Sequence, residues 1–288
     1  VLTLDGNRTY GRMILGDLSS TQIYTFNSGT GGSFVFDNAS FSGSNAYLNK
    51  FQGGADVINA PVTLNSNLVA RIISNRVTVT STISGPGTLT SVGNGTLALT
   101  GNNTGNNVNL WLWNRNGTGT GAQVELGATT GNATGGDIII GNTTRGTNGH
   151  AVLQLLQGRT NLDQISDSAS LIFDSISGVG RNAYFKLMGG NETVGRILDV
   201  GDRAVIQNRE GEAVGTAAVL TIAGSLNSRV NGFLRDNTGN NLQQADSNGA
   251  VSGGARLGIT KQGTGNLTLA GGNIIYTGDT LVSGGSLT

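Results

Sequence analysis

Trp111 and Trp113 are the two residues of this chain whose type and spacing best suit recognition chemistry. Val108, Leu110 and Leu112 alternate with them, so a strand would turn the aliphatic side chains to one face and both indoles to the other. Two indoles side by side on a flat wall offer π faces and N–H donors, which can stack on a sugar ring or meet a protein partner. The competing use of the same surface is burial under a neighbouring loop. Asp163, Asp167, Asp174, Glu192, Asp199 and Asp202 are the candidates for acid–base work on a polysaccharide. That chemistry needs two carboxyls held at a set separation across a cleft. A turn-capping role accounts as well for Asp167, ahead of Ser168 and Ala169, and a corner role for Glu192. His150 is the single histidine and there is no cysteine, so zinc sites, imidazole triads and thiol catalysis lack their second residue. Neither a G-x-S-x-G elbow nor a calcium-loop motif occurs. The expectation is a non-enzyme without cofactor or metal. Arg196, Arg203 and Arg209, interleaved with Asp199, Asp202, Glu210 and Glu212, read as a solvated face whose charges compensate one another.

The elements that must position these residues are short strands. Apolar alternation recurs at Phe34/Phe36, Val62/Leu64, Val77/Val79, Leu97/Leu99, Leu110/Leu112, Leu153/Leu155, Leu171/Phe173, Phe185/Leu187, Leu220/Ile222 and Leu257/Ile259. Turns rich in Gly, Asn and Thr separate them, such as Thr100 to Asn107, Asn114 to Gly121 and Gly141 to Gly149. No window keeps a helical period over ten residues; Ala151 to Gln157 comes nearest, with one turn at most. Asparagine tolerates the left-handed conformation at corners and can bond to backbone or to an asparagine one coil away. The glycosylation triplets at Asn94, Asn116 and Asn266 follow from a chain rich in Asn and Thr.

The strands repeat. Gly263, Gly265, Leu267, Leu269 and Gly271 lead to Asn273, Tyr276 and Gly278, and the same spacing appears at Gly93, Gly95, Leu97, Leu99 and Gly101, with Asn103 in the place of Asn273. Leu2 to Asn7, followed by Tyr10 and Gly11, is a partial third copy. Gly263, Gly265, Gly271, Gly278 and Gly284 are expected to supply positive φ at corners. One such unit cannot bury its apolar side alone and must stack on others. This pattern resembles the autotransporter-associated β-strand repeat of bacterial surface proteins, whose unit reads G-x-G-x-L-x-L-x-G-x-N-x-Y-x-G-x-T-x-V-x-x-G-x-L. Gly263 to Leu287 follows it with one extra residue between Asn273 and Tyr276. Asp163 to Ala169 and Gly190 to Gly195 are similar to sequence lying between such units. The Tyr-x-Gly step is missing after Asn103, and Thr21 to Phe51 matches poorly. The resemblance implies a parallel β-helix exposed outside the cell, extracellular or on the bacterial surface.

Composition bounds the rest. The 48 glycines and 12% charged residues accompany 36% hydrophobic residues, more apolar content and less charge than a disordered chain carries. Formal net charge is zero, which argues against nucleic acid. No apolar run approaches the ~18 residues of a membrane-spanning helix, so this segment is not expected to insert. The fold expected is all-β, a right-handed parallel β-helix forming a single domain over residues 1–288. Coils of roughly 20 to 30 residues give about ten to thirteen of them and a rod on the order of 50 to 60 Å. Arg235 to Gly254 is expected to leave the stack as a loop. Both ends fall inside strand patterns, as in a segment of a longer chain; open end coils could also pair head to tail. The function expected is a stiff structural rod or fibre module, its partners further copies or repeats of itself. The alternative is an adhesin that binds glycan or another cell through Trp111, Trp113 and nearby loops. A polysaccharide lyase or hydrolase is the third reading.

Overall fold

The computed structural model describes residues 1–16, 21–40, 45–113, 122–143, 150–175, 182–209, 215–237 and 255–288, with Arg209 in backbone only. The turn Asn114 to Gly121 lies outside these residues, as does the later part of the turn Gly141 to Gly149, and so do Asn116, Glu210 and Glu212. Every strand pair among the described residues is parallel, and none of them lies in an α-helix. The chain winds as a parallel β-helix. Its first face is an 11-stranded sheet running from Leu2–Leu4 to Asn273–Ile274, and its third face an 11-stranded sheet from Arg12–Leu15 to Ser286–Leu287. Eleven coils therefore stack, rising about 48 Å over their ten intervals at ~4.8 Å each. Ala151–Leu155 is a strand of the first face rather than a helical turn; of the segment expected to leave the stack, Arg235 to Asn237 complete the strand Phe233–Asn237, and residues 238–254 lie outside the described residues.

Period-two alternation decides what the coils bury. On the first face Val77, Leu97, Val124, Leu153, Phe185, Ile206 and Leu234 lie in one register column, and on the third Ala46, Leu68, Leu89, Leu110, Ile138, Leu171 and Ile197 lie in another. Both columns belong to one apolar core that runs from Leu4 to Leu267. The poorly matching stretch after Thr21 is the second coil, where Phe26, Phe34 and Phe36 fill the core and Phe26 meets Phe34 edge-on at 5.4 Å.

The second face is interrupted. Four strands from Arg8–Tyr10 to Ile83–Ser84 and four from Glu192–Val194 to Thr280–Val282 flank three coils whose backbones meet there in one isolated bridge, Thr134 to Ile165, and in single bonds such as Asn103 N to Asn132 O at 2.7 Å. Buried side chains replace the missing ladder. Asn103 accepts from Ile83 N at 2.6 Å and donates to Ala133 O at 2.9 Å. Gln164 exchanges both amide bonds with the backbone of Ala128, at 2.6 and 3.1 Å. Glu192 accepts from Gln164 N at 2.9 Å and Ile165 N at 3.1 Å. Backbone groups shut away from water must find partners, and here amide and carboxyl side chains supply them.

The repeat glycines act chiefly through space rather than dihedral freedom. A Cβ at Gly93, Gly95, Gly101, Gly263, Gly265, Gly271 or Gly278 would stand 2.0 to 2.6 Å from a backbone oxygen of the preceding coil. Of these only Gly93 and Gly263 have positive φ, so the expectation of positive φ holds for Gly263 and is corrected for Gly265, Gly271, Gly278 and Gly284. Leu97, Leu99 and Leu267 are buried and Leu269 half-buried, while Tyr276 packs against the core. The two best copies of the motif nevertheless occupy different faces: Thr96–Leu99 sits in the first and Asn266–Leu269 in the third. Corner asparagines do reach the next coil, as Asn67, Asn109, Asn191 and Asn227 accept from Thr88, Asp137, Val219 and Asn266 N at 2.9 Å each. Among the described asparagines only Asn75 is left-handed, at φ 59°.

Candidate functional site

Leu110 and Leu112 enter the core, and Trp111 and Trp113 project from the outer side of the third face as the alternation requires. Their ring centroids are 6.5 Å apart at 48°. Trp111 is half-buried and its Nε1 donates to Gly141 O at 2.7 Å, which fixes the ring one coil against the next. Trp113 is 8% exposed, so Trp111 carries most of the open indole surface.

The tryptophans form one end of a trench. The outward register column on this face reads Arg12, Tyr47, Val69, Thr90 and Trp111, and beside it run Ile14, Asn49, Arg71, Val92 and Trp113. In the first column large rings on the second and fifth coils bracket the smaller Val69 and Thr90 on the third and fourth, and the hollow of about 470 Å³ there also touches Asn45 and Phe51. Tyr47 and Trp111 stand three coil intervals apart, about 14 Å along the axis. The Arg12 guanidinium lies over the Tyr47 ring at 5.4 Å and that of Arg71 over Phe51 at 5.8 Å. Such cation–π contacts hold a long side chain in place without neutralising it. No carboxylate lines the hollow among the described residues.

The carboxylates go elsewhere. Glu192 and Asp163 form a hydrogen-bonded pair at a corner of the second face, with Asp167 close to Asp163. Burial first, and Asp163 second, hold the Glu192 carboxyl well above the usual carboxylate range. A buried Glu192 carboxyl in direct contact with the exposed Asp163 lacks the gap of about 5 Å or more that glycosidase carboxyls keep around a substrate bond. Asp199 accepts from Asn231 N at 2.8 Å and Gly232 N at 2.9 Å, and Asp174 from Thr143 Oγ1 at 2.7 Å; both cap a neighbouring coil. Asp199 is 3% exposed, so the face with Arg196 and Arg203 is solvated only in part. His150 is buried, accepts from Asn182 N at 3.2 Å and meets the Tyr184 ring edge-on.

Because the folded-state pKa of Glu192 is raised, the folded chain holds its proton more tightly than the unfolded chain does. Its contribution to stability is complete below the ordinary carboxylate range and is lost as pH rises through the raised value. Urea unfolding from pH 4 to 9 should show that decline, and Asp163→Asn, which removes the adjoining negative charge, should shrink it. An identical pH profile for the variant would discard the pair.

A second polar column runs along the outer side of the first face. Glu125, Gln154, Lys186, Gln207 and Arg235 are in register there, Arg76 pairs with Glu125, and Gln207 accepts from Arg235 Nη2 at 2.8 Å. Lys186 is buried, and burial followed by Arg235 pulls its ammonium down to about 8. The sequence reading passed over this column, and over the trench residues other than the tryptophans. Strand alternation placed each side chain outward; nothing local said which strands are neighbours.

No family model matches this chain, and no curated protein and no solved structure shows significant similarity to it.

Proposed function

We propose that this chain is a non-catalytic structural module, a stiff β-helical rod that carries or spaces other parts at a bacterial surface. The observation that carries the reading is the single core shared by eleven in-register coils, with backbone ladders and corner asparagines both directed along one axis. Bending such a stack breaks many parallel hydrogen bonds at once, which makes the axis stiff. The surface location rests on the likeness of Gly263 to Leu287 to the autotransporter-associated repeat. Further repeats or copies, joined head to tail or laterally, are its partners, and zero net charge does not favour nucleic acid. Antibodies raised against the purified chain should label intact cells of the source organism. Labelling only after lysis would refute the surface rod.

The trench favours a second reading, an adhesin. Trp111 and Tyr47 line the two ends of one hollow, to which Asn45, Asn49 and Thr90 bring polar groups. Sugar rings need that pairing of an apolar plane with polar edges. Trp111→Ala should weaken adhesion to glycan-coated surfaces by about tenfold, the loss of one ring contact. Unchanged adhesion with the fold intact would remove this reading.

A further inference from the structure

We infer that the trench on the third face takes an anionic saccharide chain, carboxylated or sulfated, laid parallel to the rod axis. This rests on the adhesin reading and adds its ligand class. The charge argument is direct. Arg12 and Arg71 are the charged groups of the hollow, and neither forms an ion pair among the described residues. Each is instead braced over an aromatic ring, so the guanidinium edge is left to donate. A guanidinium donates in parallel to two oxygens of a carboxylate or sulfate, which a neutral sugar cannot match. The direction follows from register. Arg12 and Arg71 lie on the first and third coils, two intervals or about 10 Å apart along the axis, with the flat floor of Val69 and Thr90 leading on to Trp111. A chain lying along the axis meets both cations and then the indole, whereas one lying across it meets at most one cation.

The test uses the whole chain and three probes in calorimetry: a galacturonic acid hexamer, a heparin hexasaccharide and neutral cellohexaose. The expected result is binding of at least one charged oligomer at least tenfold tighter than cellohexaose, weakening with added salt. Arg12→Gln and Arg71→Gln should each cost about tenfold for the charged oligomer, and Trp111→Ala should weaken every probe. Circular dichroism should show the fold unchanged in all three variants. Equal binding of cellohexaose, indifferent to both arginine variants, would overturn the anionic ligand and leave the adhesin reading standing. Salt-sensitive binding that survives Trp111→Ala would overturn the proposed site, since the arginines alone would then suffice. Failure of all three probes would remove the ligand class and the adhesin reading together.

Discussion

Asp56→Ala is expected to cost about 3–5 kcal/mol and to unfold the first four coils locally, the largest effect of any single polar substitution here. Lys50 Nζ and Asp56 Oδ2 meet at 2.7 Å with both side chains fully buried, across the corner that joins the third face of one coil to the first face of the next. Asp56 Oδ1 also accepts from Tyr24 N at 2.8 Å, so the carboxylate ties three coil segments together. Truncating it strands an ammonium in the core and leaves a backbone donor without its acceptor, and both terms act in the same direction. Stability in a stacked repeat is close to a sum over neighbours, so the damage stays near the site. Amide exchange in the strands Thr25–Ser28, Ala46–Lys50 and Asp56–Ile58 should accelerate by about two to three and a half orders of magnitude. Exchange in Ala218–Ile222 and Leu257–Lys261 should not change. The double variant Lys50→Met/Asp56→Asn removes both charges and keeps an oxygen for Tyr24 N. It should recover stability to within about 1 kcal/mol of the natural chain. If Asp56→Ala exchanges at the natural rate, the buried pair has no structural weight.

Adjacent glycines give the second large effect. Gly271→Ala should destabilise by about 3 kcal/mol, whereas Gly272→Ala should change stability by less than ~0.5 kcal/mol. A Cβ at Gly271 would lie 2.0 Å from Gly232 O, a backbone atom held in the preceding corner, while a Cβ at Gly272 meets nothing within 4 Å. Neither has a positive φ, so backbone freedom does not separate them. Only the distance to the coil beneath does. Urea midpoints of the two variants, with exchange read in the last coil, decide the matter; equal midpoints would mean that corner glycines are not packing-limited.

The coil grammar was legible because its causes are local. Alternation at Leu97/Leu99 or Leu267/Leu269 and the glycine pairs around them dictate a strand between two tight corners wherever they occur. Reading the parity further would have exposed the buried charges, since Lys50 shares its inward phase with Ala46 and Leu48, and Lys261 with Leu257 and Ile259. The outward placement of Trp111 and Trp113 came from that same parity. What parity could not supply was the rest of the trench. Arg12, Tyr47, Arg71 and Trp111 span 100 positions of chain and meet only because four of the first five coils stack them within two neighbouring columns.

By itself, then, the order of residues determined an all-β chain, its parallel coiling and about how many coils it makes, because each follows from side-chain period and corner sterics within a couple of dozen residues. Tertiary structure alone decided which face each motif occupies, where the second face gives way to Asn103, Gln164 and Glu192, and which side chains become neighbours. The reason is physical. Every parallel strand offers the next one the same backbone donors and acceptors, so register is chosen by packing across coils and not by any one coil's own residues.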